Sequence, residues 1–119
     1  MRDHTKLKVF ELGDELAKLV YQITREWPSS ESFGLISQVR RCAVSVPSNI
    51  VEGCGCDTDA EFRRFIIIAY RSSRELDYQL SLAEHFGYST VVGNHNARAL
   101  ASETAKALGG FVLKLNADR

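Results

Sequence analysis

The fold is decided by the stretch TDAEFRRFIIIAYRSSRELDYQLSLAEHF, residues 58–86. It opens on Thr58 and has Glu61 three residues later, the spacing of a capping box in which the threonine hydroxyl accepts the glutamate amide. The residues that then recur at three- and four-residue steps, as one buried helical face requires, are Phe62, Phe65, Ile66, Ala69, Ser73, Leu76, Leu80 and Ala83. Gly87 follows, and a glycine there is suited to closing a helix. The stretch predicts one long amphipathic helix.

Three further segments share this helical period. The first runs from about Lys6 to Glu26, and the second runs from near Gly34 to the glycine-rich residues 53–56, where glycine is expected to close the helix in a left-handed turn. The last covers residues 97–115 and includes Gly109-Gly110, so either a close helix approach compensates for the glycines or the final turns fray. No strand pair is visible. The expected fold class is all-α, an up-down-up-down antiparallel four-helix bundle forming a single domain over residues 1–119.

Composition limits the possible functions. The chain has 119 residues, 45% of them hydrophobic, with fifteen residues of each charge. Dedicated nucleic-acid binders usually carry a basic surplus, so a nucleic-acid role here requires a local patch. The odd number of cysteines and the absence of a signal-peptide pattern at the start favour a cytoplasmic protein. The longest apolar run, residues 65–70, is far shorter than the ~20 residues that cross a membrane.

Patterns of catalytic or cofactor-binding residues are nearly absent. Residues 53–58 begin like a dinucleotide-binding loop but have Thr58 where the third glycine belongs, and no strand precedes them. Cys54 and Cys56 form only a Cys-x-Cys pair, and Cys42 lies about three helical turns earlier. The histidines are scattered. We therefore expect no enzyme activity, no cofactor and no metal site, with the cysteines acting as small apolar side chains.

Arginines are clustered although the chain is neutral. The second helix carries Arg40-Arg41, and the third carries Arg63-Arg64, Arg71 and Arg74. Arginine suits phosphate because its planar guanidinium donates two hydrogen bonds at once. It is also enriched at protein interfaces, and on a solvated face it forms internal pairs such as Arg71 with Glu75, four residues apart. Nucleic-acid contact, subunit contact and a solvated face all stay open.

The third helix has apolar residues on a second flank. Ile67, Ile68, Tyr70 and Tyr78 lie outside its main stripe, and a helix that is apolar on two sides needs two partners. We expect this flank to be wedged between its own bundle and a second copy of the chain, since large exposed apolar patches mark interfaces. The predicted subunit interface consists of Ile67, Ile68, Tyr70, Arg71, Arg74 and Tyr78.

Two stretches carry a family resemblance: residues 33–53, FGLISQVRRCAVSVPSNIVEG, and residues 61–69, EFRRFIIIA, continued by Arg-Ser, Glu-Leu and Leu-Ala at 71–72, 75–76 and 82–83. They resemble the bacterial four-helix-bundle proteins first noticed as reading frames in intervening sequences of 23S rRNA genes. The similarity runs from about Leu7 to Tyr88. Two positions depart from the family pattern. Cys42 stands where alanine is usual, and Cys56 lies where a basic residue often follows the Glu-Gly turn.

The resemblance implies a four-helix bundle without enzymatic activity, assembled as a ring-like homo-oligomer, commonly a pentamer. A related accessory variability protein of diversity-generating retroelements binds nucleic acid and a reverse transcriptase, although that relative is strongly basic. Together with the arginine clusters, this leads to the expectation that RNA or DNA is contacted through Arg40, Arg41, Arg63 and Arg64. The alternative is an oligomeric scaffold that binds a partner protein and no nucleic acid.

Overall fold

The computed structural model describes residues 1–88 and 90–117, and every regular element in them is helical. The four α-helices are α1 (Lys8–Thr24), α2 (Leu35–Cys54), α3 (Asp59–Phe86) and α4 (Val91–Ala117), with short 3-10 helices at His4–Lys6 and Ser29–Glu31. Each α-helix packs against two others in the cyclic order α1, α2, α3, α4. Short connections reverse the chain between them, so neighbours are antiparallel. The predicted all-α, up-down-up-down four-helix bundle is confirmed.

Both predicted ends of α3 are confirmed. The Thr58 hydroxyl accepts a hydrogen bond from the Glu61 amide at 3.2 Å, which satisfies one of the free donors of the first turn. At the other end Gly87 has a φ of 72°, and its amide donates to the carbonyls of Ala83 and Glu84. An L-residue with a side chain adopts this left-handed conformation only at a cost, so glycine is the residue that ends α3 here.

Of the two alternatives for Gly109-Gly110, close helix approach or fraying of the final turns, the structure shows close approach. A Cβ atom built on Gly109 would lie 3.2 Å from Cε1 of Tyr70 on α3, whereas one built on Gly110 would meet nothing within 4 Å. α4 continues through both glycines to Ala117. The small residue at position 109 lets the aromatic ring of Tyr70 pack directly against the α4 backbone.

The expected left-handed turn after α2 is wrong. α2 continues through Gly53 to Cys54, Gly55 has a right-handed φ of −83°, and Gly87 is the one residue with positive φ in the described part of the chain. Gly53 serves a different purpose, because a Cβ atom there would lie 2.9 Å from Cβ of Phe65 and 3.3 Å from the carbonyl oxygen of Phe62. Glycine at this position allows α2 and α3 to approach closely.

Alanine substitution at two helical glycines should therefore have opposite effects. Gly53→Ala is expected to lower the free energy of unfolding by about 1–3 kcal/mol, since the helices must separate. Gly110→Ala is expected to raise it by roughly 0.5–1 kcal/mol, because alanine restricts the unfolded chain and nothing obstructs its methyl group. Urea denaturation of both variants at one protein concentration measures the difference, and equal shifts would contradict the close approach at Gly53.

The core consists of two clusters placed end to end along the bundle, which measures 45 × 21 × 19 Å. One is centred on Leu16, Val20 and Leu76, and the other on Ile50, Phe62, Ile66 and Leu108. Phe62 is only 1% exposed.

Arg2, near the amino terminus, packs against the end of the bundle that contains Phe62. The guanidinium of Arg2 lies 3.9 Å from the Phe62 ring centroid and pairs with Asp59 at 3.3 Å, while the Arg2 amide donates to the Cys54 carbonyl at 2.8 Å.

Candidate nucleic-acid interface

Arg40 is held in place by α1. Its Nε donates to the Thr24 hydroxyl at 2.8 Å, and its guanidinium lies 4.6 Å from the ring centroid of Tyr21. Thr24 is buried, and its hydroxyl in turn donates to the Val20 carbonyl at 2.7 Å. The chain of contacts fixes the guanidinium plane over an aromatic ring at the surface. Such stacking is typical of arginine and unavailable to lysine in the same form.

Arg41 and Phe33 complete an open groove beside Arg40. The groove has a volume of about 370 Å³, and its lining includes Tyr21, Ile36 and Ser37 together with both arginines. Arg41 is exposed, and Phe33 is 100% exposed. No carboxylate of residues 1–88 and 90–117 lines the groove. The structure thus brings Arg40 and Arg41 together with two aromatic side chains.

Sequence reasoning did not identify Tyr21 and Phe33 as candidate site residues. Tyr21 lies outside the apolar stripe of α1, and Phe33 directly precedes the glycine at the start of α2. An aromatic residue off the buried face is the only local signal available, and it does not show that both rings line one groove with Arg40.

Arg63 and Arg64 lie near the amino-terminal end of α3, which begins at Asp59. Arg64 is exposed and its guanidinium lies 4.9 Å from the ring centroid of Phe65, whereas Arg63 is half-buried and its buried Nε has no hydrogen-bond partner among the described residues. Gly53 of α2 lies opposite Phe65. This pair therefore sits at the level of the α2–α3 turn.

The two arginine pairs are separate in a single chain. Cys42 contacts Ser72, while Gly53 faces Phe65, and the α2 segment between Cys42 and Gly53 rises roughly 16 Å. One chain therefore presents two basic points rather than one continuous cluster.

Ion pairing leaves these arginines without carboxylate partners. Within residues 1–88 and 90–117 the ion pairs involve other cations, namely Arg2, Lys8, Lys18 and Arg98. The pair of Arg71 with Glu75 is not among them, although Arg71 and Arg74 are exposed as on a solvated face. The guanidinium groups of α2 and α3 remain available to an external anion or to a second subunit.

The predicted subunit interface lies partly within the chain. Tyr70 is half-buried against Gly109, and the Arg74 guanidinium lies over the Tyr70 ring, 5.9 Å from its centroid. Ile67 and Ile68 are also half-buried, while Tyr78 is 62% exposed and Arg71 is exposed. Part of the α3 flank that is predicted to contact a second copy of the chain thus packs against α4 of the same chain.

An apolar groove of about 420 Å³ remains open on this α3–α4 side. Ile67, Tyr70 and Arg71 line it together with Val112 and Leu113, and Leu113 is 70% exposed. Sequence reasoning did not include the α4 residues, because their helical stripe gives no register against α3.

A polar cleft separates α2 from α3 around Cys42. The Cys42 thiol donates to the Ser72 carbonyl at 3.1 Å, and the hydroxyls of Ser45 and Ser72 are 2.9 Å apart. Burial, followed by the nearby carboxylate of Glu75, raises the pKa of the Cys42 thiol to about 12. A thiol with this pKa stays protonated at neutral pH, and a protonated thiol is a weak nucleophile.

This pKa predicts a specific reactivity and pH dependence. Cys42 should react with iodoacetamide about tenfold or more slowly than half-exposed Cys56 at pH 8, as measured by mass spectrometry of the labelled peptides. Its contribution to stability should be complete below its unfolded pKa of about 9 and be lost as pH rises toward 12, because the unfolded thiol ionises first. The variant Cys42→Ala should lack that part of the alkaline loss. Equal labelling of the two folded-state thiols would contradict the burial of Cys42.

The described residues contain neither a cluster of metal-ligating side chains nor a membrane-spanning helix. No three His, Cys, Asp or Glu side chains converge there as metal ligands would. None of the helices there is both long enough and apolar enough to cross a membrane.

The fold and these surfaces define a class: a four-helix bundle with arginines outside its core that form no ion pair within the described part of the chain. A family model described as 23S rRNA-intervening sequence protein matches residues 5–110. The chain belongs to the 23S rRNA-intervening sequence protein family, which confirms the resemblance.

A crystal structure at 1.70 Å of a protein with unknown function, from the S23 ribosomal protein family of Bacteroides thetaiotaomicron VPI-5482, has a similar fold. The two share 22% sequence identity with a TM-score of 0.80, over 87% of this chain and 97% of that one. At this identity the likeness concerns the fold alone. No curated protein matches the chain.

Proposed function

We propose that this protein is a non-enzymatic homo-oligomer that contacts RNA or DNA through Arg40, Arg41, Arg63 and Arg64. The observation that carries the proposal is that the ion pairs of the described residues leave these four arginines of a neutral chain without a carboxylate partner. The segment 32–51 contains two arginines and no acidic residue. Closely spaced phosphates are the ligand that such a surface favours.

Assembly would make these separate basic points act together. A ring-like homo-oligomer, as the family resemblance implies and commonly of five subunits, repeats each arginine pair around the ring. A nucleic acid that touches several subunits then gains affinity through multivalency without any new type of contact. The free thiols of Cys42, Cys54 and Cys56 favour a cytoplasmic location for this assembly.

Nucleic-acid binding is tested by filter retention of a structured RNA and of duplex DNA at low salt. We expect retention that weakens steeply as salt rises, because each neutralised phosphate of a duplex contributes about 0.9 to the slope of log affinity against log salt. No retention at low salt, with folded protein in excess, would overturn the nucleic-acid proposal.

Light scattering at micromolar concentration tests assembly separately. We expect a mass several times that of the 13.3 kDa chain. The exposed Tyr78 and Leu113 and the apolar groove beside Ile67 support this expectation, since contiguous apolar surface favours interfaces. A clean monomer would overturn the assembly proposal.

A second candidate function is an oligomeric scaffold for a partner protein. The apolar groove between α3 and α4 favours it, because its lining is more typical of a protein contact than of a phosphate contact. In that case Arg40 and Arg41 would hold subunits together, and their removal would dissociate the assembly.

A further inference from the structure

We propose that the groove between Tyr21 and Phe33 binds an unpaired nucleobase, which stacks on Phe33 while Arg40 and Arg41 contact the adjoining phosphates. The ligand class is single-stranded RNA or DNA. This inference rests on the proposed nucleic-acid function and narrows it from phosphate contact to the recognition of unpaired bases.

The first supporting observation is the exposure of Phe33. It is 100% exposed, and every other large apolar side chain in the described residues is more covered. The turn that carries it is fixed on both sides: the Ser32 hydroxyl donates to the Ser29 carbonyl at 2.7 Å, and the Gly34 amide donates to the Glu31 carbonyl at 3.0 Å. The phenyl ring is thus presented to solvent from a hydrogen-bonded turn.

The second observation is the flat, cationic stack beside it. The Arg40 guanidinium lies 4.6 Å from the Tyr21 ring centroid, and its Nε is bound to Thr24. Bases stack on aromatic rings and on arginine planes alike. Phe33 and the Arg40–Tyr21 stack line the same groove, which has a volume of about 370 Å³.

The third observation is the charge of the groove. Both of its arginines lack a carboxylate partner within the described residues, and no acidic side chain lines it. The carboxylates of an acidic peptide would pair with the two arginines, but they offer no flat π-face to stack on Phe33. A nucleotide supplies an anion and a flat π-face together, which matches the pairing of arginine with exposed aromatic rings.

The same geometry predicts discrimination between strands and duplexes. In a duplex each base face is covered by its stacked neighbours, so Phe33 can reach only bases that are unpaired. Phosphates are present in both forms and can contact Arg40 and Arg41 in either. Phe33 should therefore contribute to single-strand affinity and not to duplex affinity.

The experiment measures fluorescence anisotropy of oligouridine, oligothymidine and a mixed-sequence duplex at about 50 mM salt. We expect Phe33→Ala to weaken binding of both single strands about tenfold and duplex binding less than about twofold, with Phe33→Trp restoring the affinity. The matched control is Phe86→Ala, since Phe86 is 55% exposed at the end of α3 and lies outside this groove. It should leave single-strand binding unchanged.

The outcomes separate this inference from the proposed function. If the wild-type protein binds none of the three probes, both fall. If it binds all three and Phe33→Ala has no effect on either strand, the stacking inference alone is overturned. The same holds if Phe33→Ala lowers the mass of the assembly, because the ring then belongs to a subunit or protein contact. If Phe33→Ala weakens binding of only oligouridine or only oligothymidine, the groove is assigned to RNA or to DNA, respectively, and the stacking inference is supported.

Discussion

Replacing Arg40 and Arg41 together by alanine is expected to weaken binding of a structured RNA by about 10- to 100-fold at low salt. Two charge-assisted contacts to phosphate are lost, and a loss of this size corresponds to about 0.7–1.4 kcal/mol for each solvent-exposed contact. The slope of log affinity against log salt should also become shallower by roughly 1.5, since two fewer phosphates are neutralised. Filter retention over a salt series measures both quantities.

Two control variants make this result specific. Lys106→Ala with Lys114→Ala removes two exposed positive charges from α4 and should change affinity by less than about threefold, because only general attraction is reduced. Arg41→Lys keeps the charge and should leave the salt slope unchanged, while part of the affinity is lost because lysine cannot donate the bidentate pair of hydrogen bonds. If the arginine double variant instead dissociates into monomers, the scaffold function is supported and the nucleic-acid function is not.

Replacing Phe62 by alanine is expected to lower the free energy of unfolding by about 3–5 kcal/mol. Phe62 is 1% exposed, it meets Phe111 edge to face with centroids 5.7 Å apart, and the Arg2 guanidinium covers its ring. The substitution leaves a cavity where α2, α3 and α4 meet. Urea denaturation followed by circular dichroism measures the loss, at a fixed protein concentration because assembly shifts apparent stability.

Phe33→Ala is the matched control for this prediction. The same side-chain atoms are removed from a fully exposed position, so stability should change by no more than about 0.5 kcal/mol. Similar losses in the two variants would contradict the burial of Phe62. The control also shows whether Phe33→Ala is folded when its nucleic-acid binding is measured.

The sequence predicts most of the fold because the signals involved are local. The Thr58–Glu61 cap and Gly87 depend on residues a few positions apart, and helical periodicity identifies the buried face of α3. The expected role of glycine after α2 is wrong for the complementary reason. Nothing within a few residues of Gly53 reveals that Phe65, on another helix, would collide with a side chain there.

The candidate site is predicted less completely for the same reason. Clustering in the sequence identifies Arg40 and Arg41, but the contacts of Arg40 with Thr24 and Tyr21 depend on the rotation of α1 against α2. Periodicity shows that Tyr70 lies off the main face of α3. It does not show that the Tyr70 ring packs against Gly109 of the same chain. Periodicity alone therefore predicts a second copy of the chain as the partner of Tyr70.

The hydrogen bond from Arg40 to Thr24 has a consequence for binding thermodynamics. A free arginine loses side-chain rotamer entropy when a ligand immobilises it, and this loss opposes association. Arg40 gives up that freedom when the chain folds, since its Nε and its ring contact are already fixed. An incoming anion therefore meets a donor whose ordering carries little further entropic penalty, and Arg40 should contribute more affinity per hydrogen bond than its exposed neighbour Arg41.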